Sequence, residues 1–189
     1  MGEGSLEAPT RHKILWRDAD FTDADKLDVE LRRVFDICHG CRRCFNLCIS
    51  FPKLFDLIDD SASGELDTVA SKDFQPIIDG CTLCDMCFMT KCPYVPPHEF
   101  DLDFPHLMLR ARVKDFQDGK VGTVHRRLVE TDRNGKLAGA VPALANWASQ
   151  RGNGLTRAGL SAIAGIHKDA ELPQYHGRTF AKLEPPEVN

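Results

Sequence analysis

Two stretches of sequence decide the fold of this chain: Cys38-His39-Gly40-Cys41-Arg42-Arg43-Cys44-Phe45-Asn46-Leu47-Cys48 and Cys81-Thr82-Leu83-Cys84-Asp85-Met86-Cys87-Phe88-Met89-Thr90-Lys91-Cys92-Pro93. Their spacings are C-x2-C-x2-C-x3-C and C-x2-C-x2-C-x4-C-P, and together they contain all eight cysteines of the 189 residues. Thiols three residues apart let one loop hold three corners of an iron-sulfur cube, while the fourth corner takes a ligand from elsewhere. The spacing therefore predicts metal clusters.

Two complete four-cysteine runs predict two 4Fe-4S clusters. In ferredoxins with two such clusters, the fourth cysteine of each run binds the other cluster. We therefore assign cluster 1 to Cys38, Cys41, Cys44 and Cys92, and cluster 2 to Cys81, Cys84, Cys87 and Cys48. Because each cluster would join both runs, loss of metal is expected to unfold the module as a unit.

Structural zinc sites and a disulfide framework are the alternatives to clusters. Zinc sites favour paired knuckles at longer separations, and disulfides belong to secreted proteins, whereas the first residues of this chain lack the order of a secretory signal. Two features depart from the plainest cluster pattern: Ile49 rather than proline follows Cys48, and four residues precede Cys92. A 3Fe-4S form of one cluster stays open, although no cysteine is missing to require it.

The charge balance excludes further function classes. Lys and Arg number 24 and Asp and Glu 28, which gives a formal net charge of -4. This argues against the main alternative function, a zinc-stabilised interaction or nucleic-acid-binding module, because nucleic-acid binding calls for a basic patch. No apolar stretch reaches the roughly 20 residues of a transmembrane helix, so no direct membrane span is expected. A cytoplasmic location, where thiols stay reduced, follows from these observations.

The sequence predicts a mostly α fold, since no run of residues alternates with a period of two. Thr22 and Asp25 resemble a capping box at the start of the first helix. The expected helices cover residues 23–36, a short segment from 52, 71–79, a segment from 105, 124–130, 134–150 with a break near 142, and 157–166.

Three regions follow from this organisation. Residues 1–21 form a polar lead-in that is expected to pack loosely, with Trp16 as its large anchor. Residues 22–103 form the two-cluster ferredoxin-type domain, which ends in the stiff proline-rich segment 93–97. Residues 104–189 form a helical extension and a C-terminal linker.

Side chains inside the runs have candidate roles beside the clusters. Arg42 and Arg43 would stabilise a reduced, more negative cluster, or be solvated loop residues. His39 is a candidate hydrogen-bond donor to a cluster sulfur. Phe45 and Phe88, at equivalent positions, are expected to shield the clusters from water, although core packing would give the same sequence.

These motifs resemble the α-helical ferredoxin module of iron-sulfur subunits related to heterodisulfide reductase and to the C subunit of anaerobic glycerol-3-phosphate dehydrogenase. The resemblance is strongest over residues 38–93 and looser over 104–180. It implies a subunit that passes electrons between a flavoprotein partner and a quinone or disulfide-type acceptor. Membrane association would then arise only peripherally, through a partner.

The longer members of that group continue into domains with Cys-Cys-Gly motifs, and this chain has no Cys-Cys pair. With all eight cysteines assigned to clusters, we expect an electron-transfer subunit of an oxidoreductase rather than a catalyst on its own. Whether the chain is naturally short or the N-terminal part of a longer subunit stays open.

Overall fold

The computed structural model of the protein describes residues 4–178, apart from the side chain of Lys91. Helices dominate this part of the chain, and it contains no β-strand, so the expected mostly α fold is confirmed. The chain divides into two compact units, Met1–Lys120 and Val121–Asn189. The expected C-terminal linker lies largely outside the described residues.

The first unit contains four α-helices and several single turns. The helices are α1 (Ala24–Cys41), α2 (Ser50–Asp59), α3 (Gln75–Gly80) and α4 (Phe104–Gln117). Short 3-10 turns cover Ala19–Thr22, Leu66–Thr68 and Ser71–Phe74, and one π turn covers Cys87–Lys91. The first cysteine run begins in the last turns of α1, and the second begins directly after α3.

Helix α1 differs from its expected bounds at both ends. Its N-cap is Asp23, whose carboxylate accepts a hydrogen bond from the Lys26 N–H at 2.9 Å, so the expected cap at Thr22 was one residue early. At the other end, backbone hydrogen bonding continues past Asp36 until Arg42 adopts a left-handed conformation with φ 55°. The helix therefore carries Cys38 and Cys41 in its last turns.

An apolar core joins the four helices of the first unit. Phe35 packs edge-to-face on Phe74 with ring centroids 5.1 Å apart, and Phe51 lies 4.8 Å from Phe104. Apolar positions at helical spacing in all four helices are buried. They include Leu27, Leu31, Val34, Leu54, Phe55, Ile58, Ile77, Ile78, Leu107, Met108 and Ala111. Helix α4 thus belongs to the core of this unit, while the sequence had placed it in the extension.

Arginine side chains hold the loops between these helices. Arg32 donates to the carbonyl oxygens of Leu66 and Val69 at 3.3 and 3.1 Å, and Arg110 donates to that of Phe21 at 2.5 Å. Loop carbonyls without a helix or sheet partner need such donors when they are partly buried. The arginine side chains therefore supply hydrogen bonds to these loop carbonyls, as neighbouring strands supply them in a β-sheet.

The N-terminal segment is held in place by specific contacts, in contrast to the loose packing that was expected. The Ser5 N–H donates to the Pro93 carbonyl at 2.8 Å, and the Thr10 N–H donates to that of Pro96 at 2.9 Å. The Arg11 guanidinium binds two carboxylates, described below. Trp16, the expected anchor, is 62% exposed.

The second unit contains α5 (Thr123–Leu128), α6 (Thr131–Ala140), α7 (Pro142–Ser149) and α8 (Gly154–Ala164). Asn153 caps α8 by accepting from the Thr156 N–H at 3.3 Å, so this helix begins three residues before the expected 157. Among the described residues of this unit, only Arg157 is buried. Its guanidinium donates to four carbonyl oxygens, which include those of Lys168 at 2.9 Å and Ala170 at 2.7 Å.

No helix within residues 4–178 combines the length and the apolar character needed to cross a bilayer.

Candidate metal centre

The first cavity of interest is lined by thiols from both cysteine runs. Cys38 and Cys41 reach it from the end of α1, Cys44 from the following turn, and Cys92 from the end of the second run. The remaining wall is mostly apolar and comprises Ile37, Arg43, Phe51, Pro93, Tyr94 and Leu102. About 290 Å³ inside this cavity is free of protein atoms.

The second cavity is lined by three thiols of the second run and one of the first. The three are Cys81, Cys84 and Cys87, and the one is Cys48. Leu47, Phe51, Thr82, Asp85, Met86, Phe104 and Pro105 complete the wall, and the free volume is about 300 Å³. The eight thiols thus divide into two sets of four, and each set has three thiols from one run and one from the other.

Phe51 lines both cavities, and no sequence pattern had pointed to it. Its side chain is 2% exposed and packs on Phe104, which also lines the second cavity. Residue 51 follows Cys48 by less than one helical turn, which places the ring between the two sets of thiols. Phe51 is therefore a shared apolar wall of both sites.

All eight cysteines are free thiols in this structure. Burial raises the pKa of the Cys38 and Cys87 thiols well above their usual value, and neighbouring thiols raise it further. Burial also raises the pKa of Cys81 and Cys92. Four thiolates in one apolar cavity would repel each other, so deprotonation of these sets requires a bound cation.

Cys84 differs from the other seven cysteines because it is exposed. Hydrogen bonds from the Met86 N–H and from the Thr82 side chain lower the pKa of its thiol. The second cavity therefore has one ligand candidate at the protein surface, whereas every candidate of the first is at least half-buried.

His39 and Arg42 point away from the thiols. The Asp59 carboxylate lies 2.9 Å from His39 Nε2 and 2.9 Å from Arg42 Nη1. These hydrogen bonds lower the pKa of Asp59 to about 2, and those from Arg42 have the larger effect. His39 lines neither cavity, so the expectation that it contacts a cluster sulfur is not supported, and Arg42 joins the end of α1 to the end of α2.

The two phenylalanines at equivalent positions have different environments. Phe45 is 58% exposed and stacks on Phe55 with centroids 6.3 Å apart, so the expectation that it shields a cluster was wrong. Phe88 is buried, and the Arg11 guanidinium lies 4.2 Å from its ring centroid. Neither ring lines a thiol cavity.

Arg11 links the N-terminal segment to the second run. Its guanidinium lies 2.8 Å from Asp85, between Cys84 and Cys87, and 2.8 Å from Asp103 at the start of α4. The hydrogen bonds from Arg11 lower the pKa of Asp85. Asp85 therefore shares Arg11 with Asp103, and its own backbone has a positive φ of 62°.

Within residues 4–178, no three His, Cys, Asp or Glu side chains are arranged to hold a single metal ion. The thiols of each set surround a cavity whose other walls are mostly apolar. Soft thiolate ligands select iron-sulfur clusters, zinc or Cu(I), and the donor set of both cavities fits this group.

Fold and site together define a helical, cysteine-rich protein with two four-thiol cavities. In comparisons with known proteins, the chain is similar to citrate utilization protein B of Escherichia coli, with 28% identity over 90 residues. These residues are 48% of this chain and 21% of that protein. No family model matches the chain, and no solved structure does. The resemblance to heterodisulfide reductase-related subunits therefore rests on the motifs alone.

Proposed function

We propose that this chain is an electron-transfer protein with two 4Fe-4S clusters. Cys38, Cys41, Cys44 and Cys92 would bind cluster 1, and Cys81, Cys84, Cys87 and Cys48 would bind cluster 2. The observation that supports this most is the division of the thiols, because each cavity takes three thiols from one run and one from the other. That exchange is the arrangement of ferredoxins with two clusters.

A 4Fe-4S cluster supplies one-electron chemistry when it is bound. The contribution of this chain is to hold the ligands, exclude water and set the electrostatic environment. Phe51, Tyr94 and Leu102 cover the first site, and Phe51 and Phe104 cover the second. Because Phe51 lines both cavities, the proposal places the two clusters close enough to exchange electrons with each other.

The same proposal gives the chain a relay role in an oxidoreductase complex. All eight cysteines line the two cavities, so none remains for disulfide chemistry on a substrate. The partner would be a flavoprotein or another oxidoreductase subunit, and the acceptor a quinone or a disulfide. The similarity to a citrate utilization protein suggests carboxylic acid metabolism as the setting in which to look for that complex, in the cytoplasm, where thiols stay reduced.

The surface proposed for the partner is the second unit. Seven of its larger apolar side chains are more than half exposed, namely those of Val129, Leu137, Val141, Leu144, Trp147, Leu155 and Ile163. Exposed apolar groups in this number are typical of protein interfaces. Helix α4, which the sequence had placed in the extension, packs in the core of the first unit.

Chemical analysis of protein purified without oxygen tests the proposal. We expect about eight irons and about eight acid-labile sulfides per chain. Reduction of the clusters by dithionite should lower the visible absorption and produce the EPR signal of two interacting clusters. Zinc at one or two atoms per chain without sulfide would show that the sites are structural zinc centres.

A further inference from the structure

Arg112 is a side chain of α4 that lies outside both cysteine runs but reaches the start of the second. One of its terminal nitrogens, Nη2, donates to the carbonyl oxygen of Ile78 at 2.7 Å and to that of Asp79 at 3.2 Å. The same nitrogen donates to the carbonyl oxygen of Cys81. Arg112 therefore binds the main chain where α3 ends and the second run begins.

Inside this segment, the Cys81 N–H donates to the Ile78 carbonyl at the long distance of 3.4 Å. Helix α3 has only six residues, and the last carbonyls of a helix have no partners inside it. Ile78 and Cys81 are buried, so water cannot easily supply the missing donors. The contact with Arg112 thus fixes the backbone of Cys81, the first thiol of its run.

The charge of Arg112 remains unneutralised at this position. Its hydrogen-bond acceptors are carbonyl oxygens, and it forms no ion pair within residues 4–178. Asp79, two residues before Cys81, contributes its carbonyl oxygen to this contact, while its side chain accepts from Gln75 at 3.0 Å.

We propose that Arg112 is a positioning residue of the second thiol site, which fixes Cys81 and supplies a positive charge that favours the reduced state there. The inference rests on the proposed function, because it concerns a site that changes its charge by one electron. Charge and hydrogen bonding beside a cluster are among the factors that set its potential. Arg112 does not contact the cavity itself, so it would act through Cys81.

The test compares Arg112→Gln and Arg112→Lys with the matched control Arg110→Gln in the full chain. Arg110 lies on the same helix and also donates to carbonyl oxygens, but at Phe21 and Asp20, away from the cysteines. Reduction is followed by EPR at controlled potentials, and iron and sulfide are measured for every variant. The wild-type analysis comes first, since the absence of sulfide there would refute the proposed function independently of Arg112.

For Arg112→Gln, we expect one cluster to become harder to reduce while the other is unchanged. A tenfold fall in its reduced-to-oxidised ratio at a fixed potential corresponds to a shift of 59 mV for one electron. Arg112→Lys keeps the charge and should restore most of the potential, while losing metal to a chelator faster than wild type. Arg110→Gln should leave both potentials unchanged.

Loss of about half the iron in Arg112→Gln, with full loading of the Arg110→Gln control, would also support the positioning role. Two results would overturn it. One is full loading of Arg112→Gln with both potentials unchanged, and the other is an equal effect on both clusters, since a local contact cannot produce it.

Discussion

Phe51 and Phe45 lie six residues apart, and the structure gives them opposite environments. Phe51 is 2% exposed and lines both thiol cavities, whereas Phe45 is 58% exposed and lines neither. The sequence favoured Phe45, because its position after the third cysteine repeats at Phe88. The position of Phe51 carried no such signal, since an aromatic residue in the first turn of a helix is usually a core residue.

Replacement of Phe51 by alanine should therefore damage both sites at once. We expect Phe51→Ala to cost about 3–5 kcal/mol, the usual range for a buried phenylalanine, and to speed the loss of both clusters. Phe45→Ala is the control and should change stability by at most about 0.5 kcal/mol. Urea midpoints of the visible absorption, measured side by side, compare the two variants. A larger effect of Phe45→Ala would contradict the shared-wall interpretation.

Cys44 and Cys48 provide a second test at this scale, because they belong to one run but to different cavities. We expect Cys48→Ala to abolish the same EPR signal as Cys84→Ala, and Cys44→Ala to abolish the other. Each variant should retain about four irons per chain if the remaining cluster survives. If Cys44→Ala and Cys48→Ala remove the same cluster, the exchange of ligands between the runs is wrong.

The raised pKa values of the buried thiols predict how metal loading depends on pH. Burial keeps Cys38, Cys81, Cys87 and Cys92 protonated at neutral pH in the metal-free protein, so loading must release protons. Protons and metal compete for the same thiolate sulfur. A raised thiol pKa favours the proton, and this competition becomes stronger as pH falls. Retention of iron against a fixed chelator concentration should therefore decrease steadily from pH 9 to pH 6. Retention that is independent of pH would contradict this reasoning.

At the scale of elements, periodicity predicted the buried faces better than the ends of helices. Leu27, Leu31, Val34 and Phe35 were expected to face inward, and all four are buried. The extension of α1 to Cys41 was missed, because the end is set by the left-handed conformation of Arg42. Local sequence does not specify where hydrogen bonding to the next segment replaces the helix.

Contacts across long stretches of sequence explain the other failures. Arg11 meets Asp85 and Asp103 at separations of 74 and 92 residues, and Arg112 meets Cys81 across 31. No pattern of hydropathy encodes such pairs, since each of these arginines and aspartates on its own has the sequence context of an ordinary surface charge. The cysteine spacing, in contrast, carries the geometry of its ligand within a few residues, which is why the division of the thiols was predictable.

The packing of α2 against α3 depends on a glycine at the end of α3. A Cβ atom on Gly80 would lie 3.0 Å from Ser50 Oγ and 3.3 Å from Ser50 Cα. Ser50 is fully buried and donates to the Ile77 carbonyl at 2.8 Å, so it has little room to move. We expect Gly80→Ala to destabilise the first unit by about 1–3 kcal/mol.

Gly159 in α8 is the matched control for that substitution. A Cβ atom there meets nothing within 4 Å, and alanine has the higher helix propensity, so Gly159→Ala should stabilise by about 0.4–1 kcal/mol. Thermal unfolding followed by circular dichroism gives both values. Equal effects of the two substitutions would mean that Gly80 is not in a close contact.

At the scale of the whole molecule, the two units differ in what stabilises them. The first contains a continuous apolar core, and both thiol cavities lie within it. The second, over its described residues, buries one side chain, Arg157, and exposes much of its apolar surface. The first unit is therefore expected to fold without the second, while the second gains most of its burial from a partner.

Two truncations test this division. A chain that ends at Lys120 keeps α4 and should retain about eight irons and the EPR signals of the full chain, while losing association with its complex. A chain that ends at Asp103 removes Phe104, Leu107 and Met108 from the core and Phe104 from the wall of the second cavity. Because Phe104 also packs on Phe51, which lines both cavities, its removal should damage both sites, and this shorter chain should retain little iron. Full loading of the shorter chain would show that α4 is not part of the metal-binding unit.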